Sequence, residues 1–529
     1  MARKWLPIFA SLLVFTFNFS TALAQDGLVL IWGEDTDYAQ LDPRVTQSRH
    51  EAQVIHQIFD QLIYADENNQ LFPGLAESWE VSDDRTSYTL TLRQDVTFHD
   101  GTRFNAEAVK FTFDTIQDPA LGSQSAIDTL GPYQSSEVIE NYVVQVNFTR
   151  PFPDALLAFA QQELSIVSPT AVETLGDGEF ARNPVGTGPF RFVSWDSGRQ
   201  VVLERNPEYN WAPEFFGRQG ASEVERIVFR IIPEASTRVA ALEAGEINIA
   251  DEVPPLDILT FEALPQFGTM VAAAPGIVRG VLLNTSRGPL EDVRVRQAFM
   301  YAVDREELVE RLYFGVTDVA YGPITSTTPQ YWSGVEDYYL YSPEQAIRLL
   351  EEAGWTDINS EGIREKDGQP LSLFMAIIYD QETGIAIQDY VAQVGIDLQV
   401  ELMLANRRNE FILANEYDMS FLGFISPSPT VLATPFHSRN IPEPGSFSFN
   451  WARYSDPDLD ELIEAGESAT SEEEQSDAYQ RAQQMIMEAA LYFPLHNSVQ
   501  AVAYDSSLTG LRFVNNYQVH FYGVTQVIE

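Results

Sequence analysis

The 529-residue chain contains no cysteine. That excludes disulfide frameworks, Cys-ligated zinc, iron–sulfur clusters, thiol catalysis and a lipid-modified N-terminal Cys. Lysine is nearly as scarce, at positions 4, 110 and 366 only, so almost all positive charge is Arg. Against 32 basic side chains stand 77 acidic ones, for a formal charge of −45. A phosphate backbone is recognised by clustered Lys and Arg, so no nucleic-acid partner is expected. After the first 24 residues no run of 18 apolar residues occurs, and no further membrane span is predicted. No Ser/Gly linker and no fixed-period repeat divides the chain.

What is present belongs to a folded protein. Hydrophobic content of 45% and aromatic content of 12% fill complete cores, which places the acidity on a folded surface. At about 150 residues per domain, the length corresponds to two to four units. At the start, Arg3 and Lys4 precede an apolar stretch from Leu6 to Phe19, and Ala22-Leu23-Ala24 fits a small-x-small cleavage site. This predicts a Sec-type signal peptide over 1–24 and a periplasmic protein; an uncleaved anchor is the rival reading.

Strand-like runs alternate with helical ones downstream. Asp100-Gly101 marks a turn, Asn105 starts a capped helix, and residues 190–205 read as a hairpin around Asp196-Ser197-Gly198. Residues 224–232 form a near-continuous β-branched run, and 342–354 read as a helix opened by Ser342-Pro343 and closed by Gly354. Such alternation argues for α/β lobes with mixed sheets.

Four ordered motifs carry a resemblance. Residues 73–79 (PGLAESW), 92–93 (LR) and 96–104 (VTFHDGTRF) make the first; 183–210, 283–309 and 454–469 make the others. Together they resemble the extracytoplasmic solute-binding proteins of the peptide/nickel class, solute-binding protein family 5, that feed ABC importers. The resemblance implies a two-lobed periplasmic-binding-protein fold of type II-like, large peptide-binding class, with a ligand cleft between the lobes. It divides the chain into lobe I over 25–274, with an extra β-rich subdomain at about 60–190, lobe II over 275–499, and a C-terminal return to lobe I over 500–529. It also implies a monomer that captures a small peptide or peptide-like solute by hinge closure and delivers it to membrane permease subunits, without cofactor and without catalysis.

The residues suggest few other chemistries. His99-Asp100 reads as a structural turn, and Gly186-Thr187-Gly188-Pro189 lacks the Lys-Ser/Thr of a phosphate loop. Trp79, Phe98 and Phe104 read as core, and Arg294, Arg296 and Arg305 as solvated ion pairs. His50 and His56 are six residues apart, about 240° around a helix, and do not share a metal. Asp456, Asp458, Asp460 and Glu467 have EF-hand spacing, but Glu461 stands where Gly is required and the run reads as a helix start. No metal ligands are therefore predicted.

In the family's peptide binders an Asp in a Gly-Trp-x-x-Asp segment pairs with the peptide amine. The matching segment here has Phe424 for the Trp and Pro427 for the Asp. Glu51 aligns with a family acidic residue near the cleft and is a candidate substitute; a helix-surface carboxylate is its other reading. Phe424, Ser426 and Ser428 suit stacking and neutral hydrogen bonds, and Phe424 reads equally as core. The predicted ligand residues are thus Glu51, Phe424, Ser426 and Ser428, with no catalytic residue. The alternatives are a sugar-derived or metal-chelate ligand, and an exported peptidase or glycosidase using a carboxylate pair.

Overall fold

The structure, a computed structural model, describes residues 27–46, 48–66, 68–514 and 517–527. The signal peptide expected over 1–24 lies outside the described residues. Twelve strands build two principal sheets: β1 (Leu28–Glu34), β2 (Phe190–Asp196), β3 (Gln200–Arg205), β4 (Val224–Ile231), β5 (Ile249–Ala250), β6 (Phe267–Ala273), β7 (Gly276–Leu283), β8 (Ser372–Ile377), β9 (Asp397–Leu402), β10 (Met419–Ile425), β11 (Tyr492–His496) and β12 (Val499–Asp505). The first sheet has the order β6-β12-β5-β1-β4-β3-β2, the second β9-β8-β10-β7-β11. Both are mixed. β1 runs parallel to β4 and β5, while β3 and β12 pair antiparallel to their neighbours. The result is a two-lobed α/β molecule. Trp32, Phe59 and Phe229 centre the core of the first lobe, and Phe299, Met375 and Phe493 a core of the second.

A four-stranded antiparallel sheet is added to the first lobe, in the order Ala76–Val81, Ser87–Leu92, Val143–Phe148, Tyr133–Glu140. Its helix, Ala106–Ile116, is capped by the Asn105 side chain, which accepts from the Ala108 N–H at 3.2 Å. Phe98 and Phe104 pack edge to face in this core at 6.3 Å, with Trp79 half-buried against it. The His99 turn and the Gly-Thr-Gly turn meet here. His99 Nε2 lies 2.9 Å from the Gly188 carbonyl, and Thr187 donates to the buried Asp60 at 2.8 Å. Asp60 also accepts from Tyr64, Tyr209 and Trp211, so these motifs lock the subdomain onto the sheet.

One expectation is corrected. Arg294 does pair with Asp292, at 2.6 Å, but Arg296 and Arg305 are buried. Arg296 donates to the Leu290 and Ala489 carbonyls, and Arg305 to those of Tyr338 and Tyr339. A guanidinium carries five donors in a fixed fork, enough to satisfy several chain-end carbonyls from inside the lobe. Charge spacing on a helix does not reveal that use.

The chain crosses from the first principal sheet to the second between β6 and β7 and returns between β11 and β12. The crossings are tied together, with the Ala274 N–H donating to the Ser498 carbonyl at 2.7 Å. Just past the first crossing, Gly276 has φ 118°, and a Cβ there would meet the Phe424 carbonyl. Only glycine fits such a position without strain.

Candidate functional site

The register of the first sheet builds one wall of the cleft. Gly33 is paired with Ala250 across the parallel strands β1 and β5, so Glu34 and Asp251 leave the sheet side by side at its carboxyl edge. In α/β sheets that edge, where connections diverge, is where ligands bind. Asp35 and Glu252 follow them. Helix α1 (Arg49–Ile58), capped by Ser48, brings Arg49 and His50 to the same place in its first turn.

The wall is densely charged. His50 Nδ1 lies 2.8 Å from Glu34 and 3.3 Å from Asp35. Arg49 bonds Asp251 at 3.2 Å and also pairs with Glu252. Gln500, on β12 beside the second crossing, donates to Asp251 at 2.9 Å. Burial and the neighbouring Asp251 push the Glu34 carboxyl above its usual range, against the pull of His50. Burial likewise drives Glu252 up to about 7, despite Arg49. Asp35 resists its own burial because Glu252 and His50 favour its charge, and it stays below the usual range.

The opposite wall comes from the second lobe. Arg279 on β7 lies over the Tyr379 ring, 4.3 Å from its centroid, and donates to the Tyr379 hydroxyl at 2.8 Å. Asp380 stands 3.6 Å from the same guanidinium, and burial raises its carboxyl. Tyr313 and His496 pack beside it with ring centroids 4.2 Å apart. Tyr517, from the C-terminal return, connects the walls. Burial pushes its phenol up to about 12, and Arg49, Asp251, Glu252 and Arg279 all act on it.

The four residues expected from sequence take other partners. Glu51 is buried and accepts from the Ala39 and Gln40 N–H groups, at 3.0 and 3.2 Å, and from Thr46 at 2.7 Å. Its carboxylate fixes the loop after β1 to α1. Phe424 packs edge to face on Phe449 at 5.0 Å. Ser426 donates to the Ser428 carbonyl at 3.2 Å. Ser428 donates across the lobes to Asp154 at 2.5 Å, and Gln475 does so at 2.9 Å. Arg150 completes this seam by pairing with Glu467 at 3.2 Å. The segment around Pro427 therefore meets the first lobe directly.

The cleft residues that sequence reasoning missed are Glu34, Asp35, Asp251, Glu252, Arg49, His50 and Arg279. A signal existed for the carboxylates. Two apolar strand runs, LVLIWG and INIA, each end directly in a pair of acidic residues. Recognising the pairs as one site requires knowing that the two strands are parallel neighbours.

The sequence profile described as "Bacterial extracellular solute-binding proteins, family 5 Middle" matches residues 70–441. The glutathione-binding protein GsiB of Shigella flexneri is 28% identical over 502 residues, with 93% of each chain covered. Among solved structures, NikA from Brucella suis in complex with Fe(III)-EDTA is similar at 26% identity and a TM-score of 0.84, covering 94% of this chain and 100% of that one. The oligopeptide-binding protein AppA from Bacillus subtilis, in complex with a nonapeptide, shares the fold at 23% identity and a TM-score of 0.73, covering 94% of this chain and 99% of that one.

Proposed function

The chain belongs to the bacterial extracellular solute-binding proteins of family 5, the receptors that serve ABC importers, and we propose that its cargo is a small peptide-like zwitterion held between the two walls of the cleft. The observation that carries this reading is the pairing of an acid-rich wall in one lobe with Arg279 in the other, with Tyr517 in the field of both. An amine directed at Glu34, Asp35, Asp251 and Glu252 and a carboxylate directed at Arg279 would satisfy both. The walls sit on different lobes, so the two contacts coexist only when the lobes close, and the solute draws the population toward the closed form. A micromolar solute supplies about −8 kcal/mol, part of it offsetting closure.

In this reading the protein acts as a monomeric receptor, not an enzyme, exported by its leader and docking when closed on permease subunits. Glu51 and Ser428 act indirectly, by fixing the loop after β1 and by joining the lobes at Asp154. Phe424 and Ser426 touch the solute from the second lobe.

The test is native mass spectrometry of the purified chain, followed by thermal-shift titration with dipeptides, glutathione and sugars. Stabilisation by one peptide-like solute is expected, weakened about tenfold or more in Arg279→Gln. Stabilisation by sugars alone, or by nothing, overturns the reading.

A further inference from the structure

We propose that Glu34, Asp35 and His50 form a binding site for a divalent transition-metal ion in the wall of the cleft. The site rests on the receptor reading only for its address in the cleft; its donor set stands without any particular solute.

The geometry brings three donors to one place. One ligand atom from each of the three side chains can be chosen so that all lie within 4.8 Å of one another. His50 Nδ1 is 2.8 Å from Glu34 Oε1 and 3.3 Å from Asp35 Oδ1. Metal–ligand bonds of about 2.0–2.2 Å place adjacent donors about 2.8–3.6 Å apart, from octahedral to tetrahedral geometry. The observed separations fall close to that interval. Binding requires the Nδ1 lone pair, so a proton on that nitrogen leaves to solvent as the metal enters. No redox step is involved.

The donor chemistry narrows the ion. One imidazole with two carboxylates suits Zn²⁺, Ni²⁺, Co²⁺ or Fe²⁺. Ca²⁺ takes six or more oxygen ligands and is poorly served by a nitrogen donor. The first shell is held from behind, as metal ligands are. Glu34 is buried, with Trp32 Nε1 donating to its Oε2 at 3.2 Å and the Asp35 N–H to its Oε1 at 3.2 Å. His50 is fixed in the first turn of α1. Its side chain remains 17% exposed and that of Asp35 25%, so an ion can enter from solvent.

A second observation points to the same place. Tyr38 is only 4% exposed, its hydroxyl has no hydrogen-bond partner among the described residues, and it sits in the field of Glu34 and Asp251, then of Asp37 and Asp35. Around it four carboxylates, Glu34, Asp35, Asp251 and Glu252, face two guanidiniums. Arg49 is committed to Asp251 and Glu252, and Arg238 donates to the carbonyls of Ile232, Pro233, Asp251 and Glu252. Three protein donors leave coordination positions open toward the cleft, and the amine or carboxylate of a chelating, peptide-like solute could complete them.

The experiment uses the mature chain from residue 25, stripped of metal on a chelating resin. It is titrated calorimetrically with Zn²⁺, Ni²⁺, Co²⁺ or Ca²⁺ alone, in buffers of different protonation enthalpy. About one equivalent of a transition ion should bind with proton release, and Ca²⁺ at least about tenfold more weakly. Glu34→Gln, Asp35→Asn and His50→Ala should each weaken binding about tenfold or more, whereas His437→Ala, whose ring lies between Asp460 and Glu464, should not. Should either buried-side variant fail to fold by circular dichroism, the partly exposed Asp35→Asn decides. No stoichiometric binding, or binding undiminished in Asp35→Asn, overturns the site. Because metal alone is the probe, the receptor reading is judged separately, by solute titration in the same metal-free buffer. Solute binding without any metal binding overturns only the metal site; metal binding without any solute supports the site and counts against the receptor reading.

Discussion

Glu51 and Glu34 show how position decides what a carboxylate does. Glu51 accepts three hydrogen bonds within the first lobe, so Glu51→Ala leaves two backbone N–H groups without their acceptor. Each orphaned buried donor costs about 1–3 kcal/mol. The expected outcome is a Tm lowered by several degrees with solute affinity nearly unchanged; a large loss of affinity at normal Tm would place Glu51 on the ligand instead. Alignment with the family could point to Glu51 but not to its hydrogen-bond partners, because those come from a loop twelve residues back whose path is set by the fold. Glu34 was harder to find, since nothing in its own neighbourhood of sequence separates it from the many other acidic residues. Phe98 and Phe104, by contrast, were legible as core, because a strand–turn–strand run of aromatics with no polar alternative has nowhere else to go.

Among the elements, the proposed receptor function assigns closure to the two crossings and the Asp154 seam. Asp154→Ala removes the acceptor shared by Ser428 and Gln475. Each of the two hydrogen bonds contributes about 0.5–1.5 kcal/mol net, so without both the closed form should lose roughly a tenfold share of its population. Faster solute release in stopped-flow measurements, with a more expanded particle in small-angle scattering, would be the signature; unchanged release would show that the seam does not contribute to closure. Gly276→Ala should act differently, by straining the backbone itself at about 1–3 kcal/mol, and should appear as lost stability in both open and closed states. The strands and helices were largely readable, since period, caps and turn residues agree locally: Ser342, Asn105 and Asp456 each cap the helix that their position announced. The seam was not, because it joins residues 274 and 321 positions apart, and no local pattern encodes such a pairing.

For the molecule as a whole, acidity and buried histidines act on stability in definable directions. His56, His99 and His496 are held near 4 by burial, and His520 near 3. Each is neutral in the fold but takes a proton below about 6.5 when unfolded, so stability rises with pH from about 4 to 6.5. At 1.36 kcal/mol per unit this is about 3 kcal/mol or more apiece. Glu252 and Glu163, driven by burial to about 7, pull the other way, because they are neutral in the fold and ionise on unfolding above about 4.5. Burial raises the carboxyls of Glu34, Asp60, Asp128, Asp154, Asp380 and Asp418 as well, and these add to the opposing slope, so the histidine contribution is read by difference: His99→Gln should flatten the dependence of the denaturant midpoint on pH between 4 and 6.5, and an unchanged slope would contradict a neutral His99 in the fold. Salt should also stabilise. A formal charge of −45 repels itself over about 10 Å at 0.1 M but only about 3 Å at 1 M, so Tm should increase with sodium chloride, consistent with a salty exterior. A Tm that falls with salt would remove that interpretation.

The return strand β12 has a consequence for how the protein is made. It lies between β6 and β5 in the first lobe's sheet, yet it is encoded after the entire second lobe. A chain emerging from its amino end cannot finish its first sheet until residue 499 arrives, and long-range pairing of this kind is slow. Until then both flanking strand edges stay open, which exposes the nascent chain to aggregation and obliges it to remain loose. The topology that completes the first sheet thus also sets the order of folding, because the sheet's middle can close only after the last stretch of chain has been made.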